Sequence, residues 1–415
     1  MTAVEQQRLQ SSNSLLPRTP LLSGNDPEAK RAEIADYFVS VFDRYESLFD
    51  VLSEEAAFYV KPIPLRHPLI FYFGHTATFY SNKLVLAKLL PQRIDARLES
   101  ICAVGVDEMS WDDLDDAHYE WPTVGEVRAY RQKVRAAVLK LINTLPLQLP
   151  IQWSGAWWPL IMCIEHELIH LETSTVLIRQ HQLKYVRSLS EWSPCGEQGA
   201  APDNQLVSVP GGSVLLGKAR DADRYGWDNE FGARQANVSA FQASRYLVSN
   251  AEFLQFVEAG GYADQSLWDE EGLKWCEFTA AEHPTFWVWR DAWYLRLMTE
   301  EVSMPWDWPV EVNCLEAKAF CRWKARESGE PIRLPSEDEW YRLYDHAGVQ
   351  EVSEEAASAN VQLDHFASSC PVTRFAHGDF FDVVGNVWQW TETTCGVPLR
   401  VFRCTSHRTE CLLRE

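Results

Sequence analysis

I-E-H-E-L-I-H-L-E-T, Ile164–Thr173, places two histidines four residues apart in an apolar setting. On an α-helix, residues at that spacing leave the same face, so His166 and His170 present both rings to one neighbour. The helical pattern around them runs from Trp157 to about Gln182. Upstream, Ile34, Tyr37, Phe38, Val41, Phe42 and Tyr45 recur at helical spacing within Ala29–Phe49. Pro68 opens a second helical pattern through Tyr80 to Leu90. Thr123, with Glu126 three residues on, has the form of a capping box opening a third over Thr123–Thr144. Four long amphipathic helices joined by loops predict a helix bundle over residues 28–192.

An i, i+4 histidine pair is a common way to chelate a metal ion. The third ligand is expected from a neighbouring helix, and His75 in F-Y-F-G-H-T-A-T-F-Y is the candidate. Gly74 beside it allows close helix approach, and the surrounding aromatics keep water out. His67, His118 and His181 compete with it, although His67 abuts Pro68 and reads as loop. The same letters spell HExxH, the zinc-hydrolase pattern, which makes Glu167 a general base and needs a further ligand such as Glu191. Glu172 falls two residues after His170, about 200° around the helix. It cannot easily share an ion with that pair, and a role orienting a ligand imidazole from outside fits it better.

The formal charge of −21, with no basic cluster, argues against nucleic acid and anionic membrane as partners. Asp107–Asp116 reads as a solvated acidic surface. The ten cysteines form no CxxC pair, no apolar run is long enough to span a bilayer, and the N-terminus has no signal-peptide core. A reducing cytoplasm is the expected compartment. Residues 1–27 read as a flexible arm and 193–205, rich in Gly and Pro, as a linker. Residues 206–393 change texture. Leu206–Leu216 reads as strand, Gly-Gly turn and strand, followed by short helices at Asn250–Ala259 and Cys314–Ser328 among Trp-rich irregular stretches. Eighteen tryptophans suit an α+β domain packed by large rings. Pro335 and Ser336 make a turn that caps a helix from Glu337.

Three segments together carry a resemblance: R-H-P-L-I-F-Y-F-G-H-T (Arg66–Thr76), H-E-L-I-H-L-E (His166–Glu172) and G-N-V-W-Q-W-T-E-T (Gly385–Thr393). The chain resembles the sulfoxide synthases of thiohistidine biosynthesis over roughly residues 30 to 393. These join a DinB-like four-helix bundle to a formylglycine-generating-enzyme-like domain of C-type-lectin-like fold. Arg66–Tyr72, Trp121–Arg131 and Leu177–Gln180 look closer to the ovothiol branch, the 5-histidylcysteine sulfoxide synthases. Arg333–Trp340 and Gly385–Trp390 resemble the signature turns of the second domain. Trp388 and Trp390 there read as core packing. The late cysteine pair that formylglycine generation needs is missing, which argues against sulfatase activation.

The resemblance implies Fe(II) held by His75, His166 and His170, with Glu172 outside the ligand set. It implies O2 as co-substrate and L-cysteine and L-histidine as substrates. Arg128 and Arg131 are three apart on one helix, so they share a face, and arginine matches a carboxylate by a bidentate fork. The R-x-x-R of the ergothioneine branch binds the thiol substrate, which makes these two residues substrate-binding candidates, with Gln180 and Tyr130 as weaker pocket members. The family's active-site tyrosine is expected just beyond Thr393, where the motif resemblance stops. The last 22 residues, 394–415, hold no Tyr and no Trp, four arginines and three cysteines. They read as a divergent tail, a frameshifted or misannotated end that cuts the domain short. Reduced solubility, and iron binding that outlasts catalysis, are the expected consequences. An ergothioneine- or selenoneine-type synthase, an HExxH zinc hydrolase and a non-catalytic metal-binding protein are the other readings.

Overall fold

The computed structural model describes residues 16–103, 120–349 and 358–393. Asp107–Asp116, His118 and the tail 394–415 lie outside the described residues.

Four long helices form the N-terminal bundle: α1 (Pro27–Leu48), α2 (Leu69–Leu86), α4 (Val124–Thr144) and α5 (Trp158–Arg179), with the short α3 (Ala96–Ile101) between α2 and α4. α1 starts where Asp26 accepts from Glu28 N and Ala29 N, with Pro27 pre-set for the first turn. Its six periodic apolar residues are all buried. α2 is buried at every position from Leu69 to Ser81. It stops at Leu86, short of Leu90, and Lys88 just beyond is left-handed at φ 62°. The Thr123–Glu126 capping box forms as the spacing predicts. Gly74 is a close-approach site, but its neighbour is Cys102 rather than α5: an added Cβ would sit 2.6 Å from Cys102 Sγ.

The second part is built from short strands and helices. β1 (Leu206–Val209) and β2 (Gly212–Leu216) flank the Pro-Gly-Gly turn, yet they do not pair with each other. β2 pairs with β3 (Arg234–Val238) and β1 with β4 (Phe241–Ser244), both antiparallel. Gly211 shows why: its Cα lies so near the 238–240 backbone that a Cβ would come within 2.9 Å of Ala240 N and Val238 O. Next come α6 (Asn250–Glu258), α7 (Glu270–Thr279), the meander β5 (Trp287–Trp289), β6 (Trp293–Arg296) and β7 (Glu301–Ser303), then α8 (Cys314–Ser328), α9 (Glu337–His346) and the ribbon β8 (Ala376–His377) and β9 (Phe380–Phe381). Phe253, Phe256, Trp268, Trp287, Trp308, Phe320 and Trp323 make one core here, the ring-packed interior that the composition predicts.

Ser336 caps α9 and forms a reciprocal box with Glu339. Ser336→Ala is expected to cost about 1 kcal/mol, read as a lower urea midpoint for the second part.

Residues 16–26 depart from the expected flexible arm. Leu16 and Leu22 are buried, Leu22 N donates to Asp223 O, Ile151 N donates to Leu22 O, and Arg18 pairs with Asp364 at 3.0 Å. The segment is a packed strap across both parts: Leu16 and Leu22 join the bundle core, while Leu22 N, Leu16 N and Arg18 bond to Asp223 and Asp364 of the second part. Among the described residues no helix is long and apolar enough to cross a membrane.

A candidate three-histidine metal centre

α2 turns two separate faces inward. Tyr72, His75 and Phe79, at i, i+3 and i+7, share one face, while Phe73, Thr76 and Tyr80 share the other. The first face meets His166 and His170 of α5. The three imidazoles have centroid separations of 5.3 Å (His75–His166), 4.8 Å (His75–His170) and 4.5 Å (His166–His170). One ring nitrogen from each lies within 4.8 Å of the other two. All three residues are buried.

Packing holds each ring. Phe79 stacks on His166 at 3.6 Å, and Phe71 stacks on His75 at 5.3 Å. His75 Nδ1 lies 2.8 Å from Cys102 O. A carbonyl only accepts, so Nδ1 carries the hydrogen, and in the neutral ring Nε2 is the nitrogen with the lone pair. Both ring nitrogens of His170 are buried with no hydrogen-bond partner among the described residues. Burial, and then the nearby His75, hold its pKa well below the ordinary histidine value. A neutral imidazole is the form that ligates a metal. Burying its polar nitrogens without partners is costly, and a cation between the rings relieves that cost. The donor set therefore fits a small transition-metal ion. Imidazole nitrogens suit iron, zinc and copper alike.

The other sequence-predicted residues fall elsewhere. Glu167, the HExxH glutamate, points away from the histidines into the bundle. It accepts from Arg131 Nη2 at 3.0 Å, Thr76 Oγ1 at 3.1 Å and Tyr80 OH at 3.0 Å. Arg131 is fully buried and also donates to Phe73 O and Thr76 Oγ1. Glu167 occupies the position a substrate carboxylate would take on Arg131, and neither side chain is exposed to solvent. Arg128 is partly exposed, with Asp50 at 3.0 Å and Glu46 at 3.8 Å. Both arginines reach the Phe73 side of α2, away from His75. Gln180 caps the far end of α5, about 15 Å along the axis from His170, and its amide turns back to Val176 O. Tyr130 is buried with its hydroxyl 3.3 Å from Glu99.

Among the described residues Glu172 bonds to no imidazole. It accepts from Gln362 N at 3.2 Å and Trp388 Nε1 at 2.9 Å, both in the second part of the chain. Trp388 is 55% exposed and lies outside any strand, which corrects its reading as core. Among the competing histidines, His67 packs on Phe71 and Trp121 and His181 near Tyr185; neither joins the cluster. Glu191 does not join it either. The Cys102 carbonyl escaped sequence reasoning because a backbone acceptor has no residue signature. The alternating heptad faces of α2 were the available signal for Thr76 and Tyr80.

Residues 194–408, just over half of the chain, match the sulfatase-modifying factor enzyme 1-like domain. The chain belongs to this family. The match runs past Thr393, where the motif resemblance stops. Residues 37–174 match the DinB superfamily. This sulfatase-modifying factor enzyme 1-like chain thus has the architecture that the motifs implied, a DinB-like bundle followed by a C-type-lectin-like domain. It is 30% identical to hercynine oxygenase of Mycolicibacterium smegmatis over 289 residues, covering 66% of this chain and 63% of that protein. It is 28% identical to hercynine oxygenase of Mycolicibacterium thermoresistibile over 385 residues, covering 89% and 80%. It is 29% identical to ergothioneine biosynthesis protein 1 of Neurospora crassa over 214 residues, covering 48% and 24%. The chain therefore spans less than two thirds of two of these three relatives.

Proposed function

We propose that this chain is a non-haem iron, O2-dependent sulfoxide synthase, with Fe(II) held by His75, His166 and His170. The buried convergence of three imidazoles carries the reading. The similarity to hercynine oxygenases supports the same chemistry. The bonding of Glu167 into the Arg131 network argues against a zinc hydrolase, whose glutamate must face the metal-bound water.

Bound Fe(II) supplies one-electron and oxygen chemistry. Three neutral ligands leave the ion its full positive charge, which favours a thiolate beside it. The Cys102 carbonyl fixes the His75 tautomer, and Phe71, Tyr72 and Phe79 wall the site against water. The overall reaction joins a small thiol to an imidazole. The S–H and one ring C–H are lost and a C–S bond forms. One oxygen atom goes to sulfur and the other leaves as water.

L-cysteine as thiol and L-histidine as acceptor, the ovothiol-branch pair, is the first reading. Hercynine as acceptor is the second, favoured by the relatives' names. Anaerobic Fe(II) reconstitution, exposure to oxygen and mass spectrometry of the small molecules tests both. A histidine–cysteine sulfoxide conjugate is the expected product, and a hercynine conjugate in its place selects the second reading. Tight zinc with no oxygen uptake on any thiol–imidazole pair would sink both.

A further inference from the structure

α5 has a second functional line. Glu172 and Arg179 are seven residues apart, about two turns, so they lie along one side of the helix. That side is roughly 140° around from the line through His166 and His170. Arg179 reaches into the second domain through Arg296 O at 2.5 Å and Glu311 Oε2 at 2.5 Å, with its guanidinium 3.8 Å over the Phe286 ring. Glu172 takes the Gln362 N–H and the Trp388 indole N–H, one on each carboxylate oxygen.

The loop that Glu172 grips is a tongue, residues 360–367. Asn360 closes its base through Oδ1 to Phe366 N and Nδ2 to Ser368 O. Gln362 and Leu363 at its tip are both left-handed, at φ 55° and 57°, a conformation that costs non-glycine residues. Such backbone persists only where its surroundings hold it. The bundle and the strap do so here: Glu172 takes Gln362 N, Arg44 donates to Leu363 O, and Asp364 takes Leu16 N and Arg18. Leu363 packs against the bundle core.

We infer that Glu172, the carboxylate of H-x-x-x-H-x-E, is a positioning residue that latches the 360–367 tongue and Trp388 of the second domain to the histidine-bearing helix, and does not serve the metal. α5 thus fixes the second domain two residues from His170 while keeping the histidine face clear. The inference goes beyond the iron reading and depends on it only for the metal readout below.

The test uses the full chain loaded anaerobically with Co(II), comparing wild type with Glu172→Ala and Trp388→Phe. Co(II) stoichiometry and ligand-field absorption are expected to be unchanged in both variants. Hydrogen exchange of residues 360–367 is expected to rise on the order of tenfold in Glu172→Ala, because a charge-assisted pair of hydrogen bonds is lost. Trp388→Phe, which keeps a ring but loses the N–H, is expected to show a smaller rise in the same peptide. Exchange over residues 69–86 should stay at the wild-type rate in both. An altered Co(II) spectrum with a still-protected tongue in Glu172→Ala overturns the inference, and so does unchanged tongue exchange in both variants. If Glu172→Ala fails to fold, unchanged tongue exchange in Trp388→Phe overturns it alone. A wild-type chain that binds no Co(II) would count against the ligand set, while tongue exchange would still decide the latch.

Discussion

Arg131→Met is expected to destabilise the bundle by about 3–5 kcal/mol, the cost of breaking a buried ion pair from one side. Arg131 and Glu167 are both without solvent exposure. The substitution strands the Glu167 carboxylate in the core and leaves Phe73 O and Thr76 Oγ1 without their donor. The guanidinium also lies over Phe42, Tyr45 and Phe73, with its carbon 4.3 Å, 5.3 Å and 5.2 Å from their centroids. Arg131→Met combined with Glu167→Leu removes both charges and should recover most of the loss. Urea unfolding followed by far-ultraviolet circular dichroism reads the difference. A substrate-binding arginine would behave otherwise: KM for the thiol would rise and the unfolding midpoint would hold.

His75→Ala, His166→Ala and His170→Ala are each expected to weaken Fe(II) binding by more than about 100-fold. Changing a partner that merely orients a ligand costs about 10–100-fold, and losing the ligand costs more. His67→Ala and His181→Ala provide the contrast: both side chains are buried, yet neither belongs to the cluster, so metal content per folded protein should stay at the wild-type value. Anaerobic titration with elemental analysis separates the two groups. Equal loss in all five variants would mean that folding, rather than ligation, is being read.

Periodicity made the bundle legible, because an α-helix repeats every 3.6 residues whatever it packs against. Each of its four long helices lies where the apolar spacing places it. The caps at Thr123 and Ser336 were readable for a similar reason, since a capping box is complete within four residues. Long-range relations were less legible. Leu206–Leu216 showed two strands and a turn, but their partners, β4 and β3, depend on where residues 234–244 return. The strap at 16–26 looked like a polar arm because two buried leucines do not make a period.

The sequence by itself determined the four long bundle helices, the histidine pair on one face of α5, a ring-packed second domain and the family. Only the tertiary structure decided which partners Arg131, Glu167 and Glu172 meet. Spacing on one helix states which side chains diverge, and it placed Glu172 off the histidine face. It does not state which neighbour each side chain meets. Arg131 and Glu167 lie 36 residues apart, and Glu172 and Trp388 lie 216 apart. A charged side chain takes its role from the partner that compensates its burial, and that partner is supplied by the packing of other helices and of a second domain.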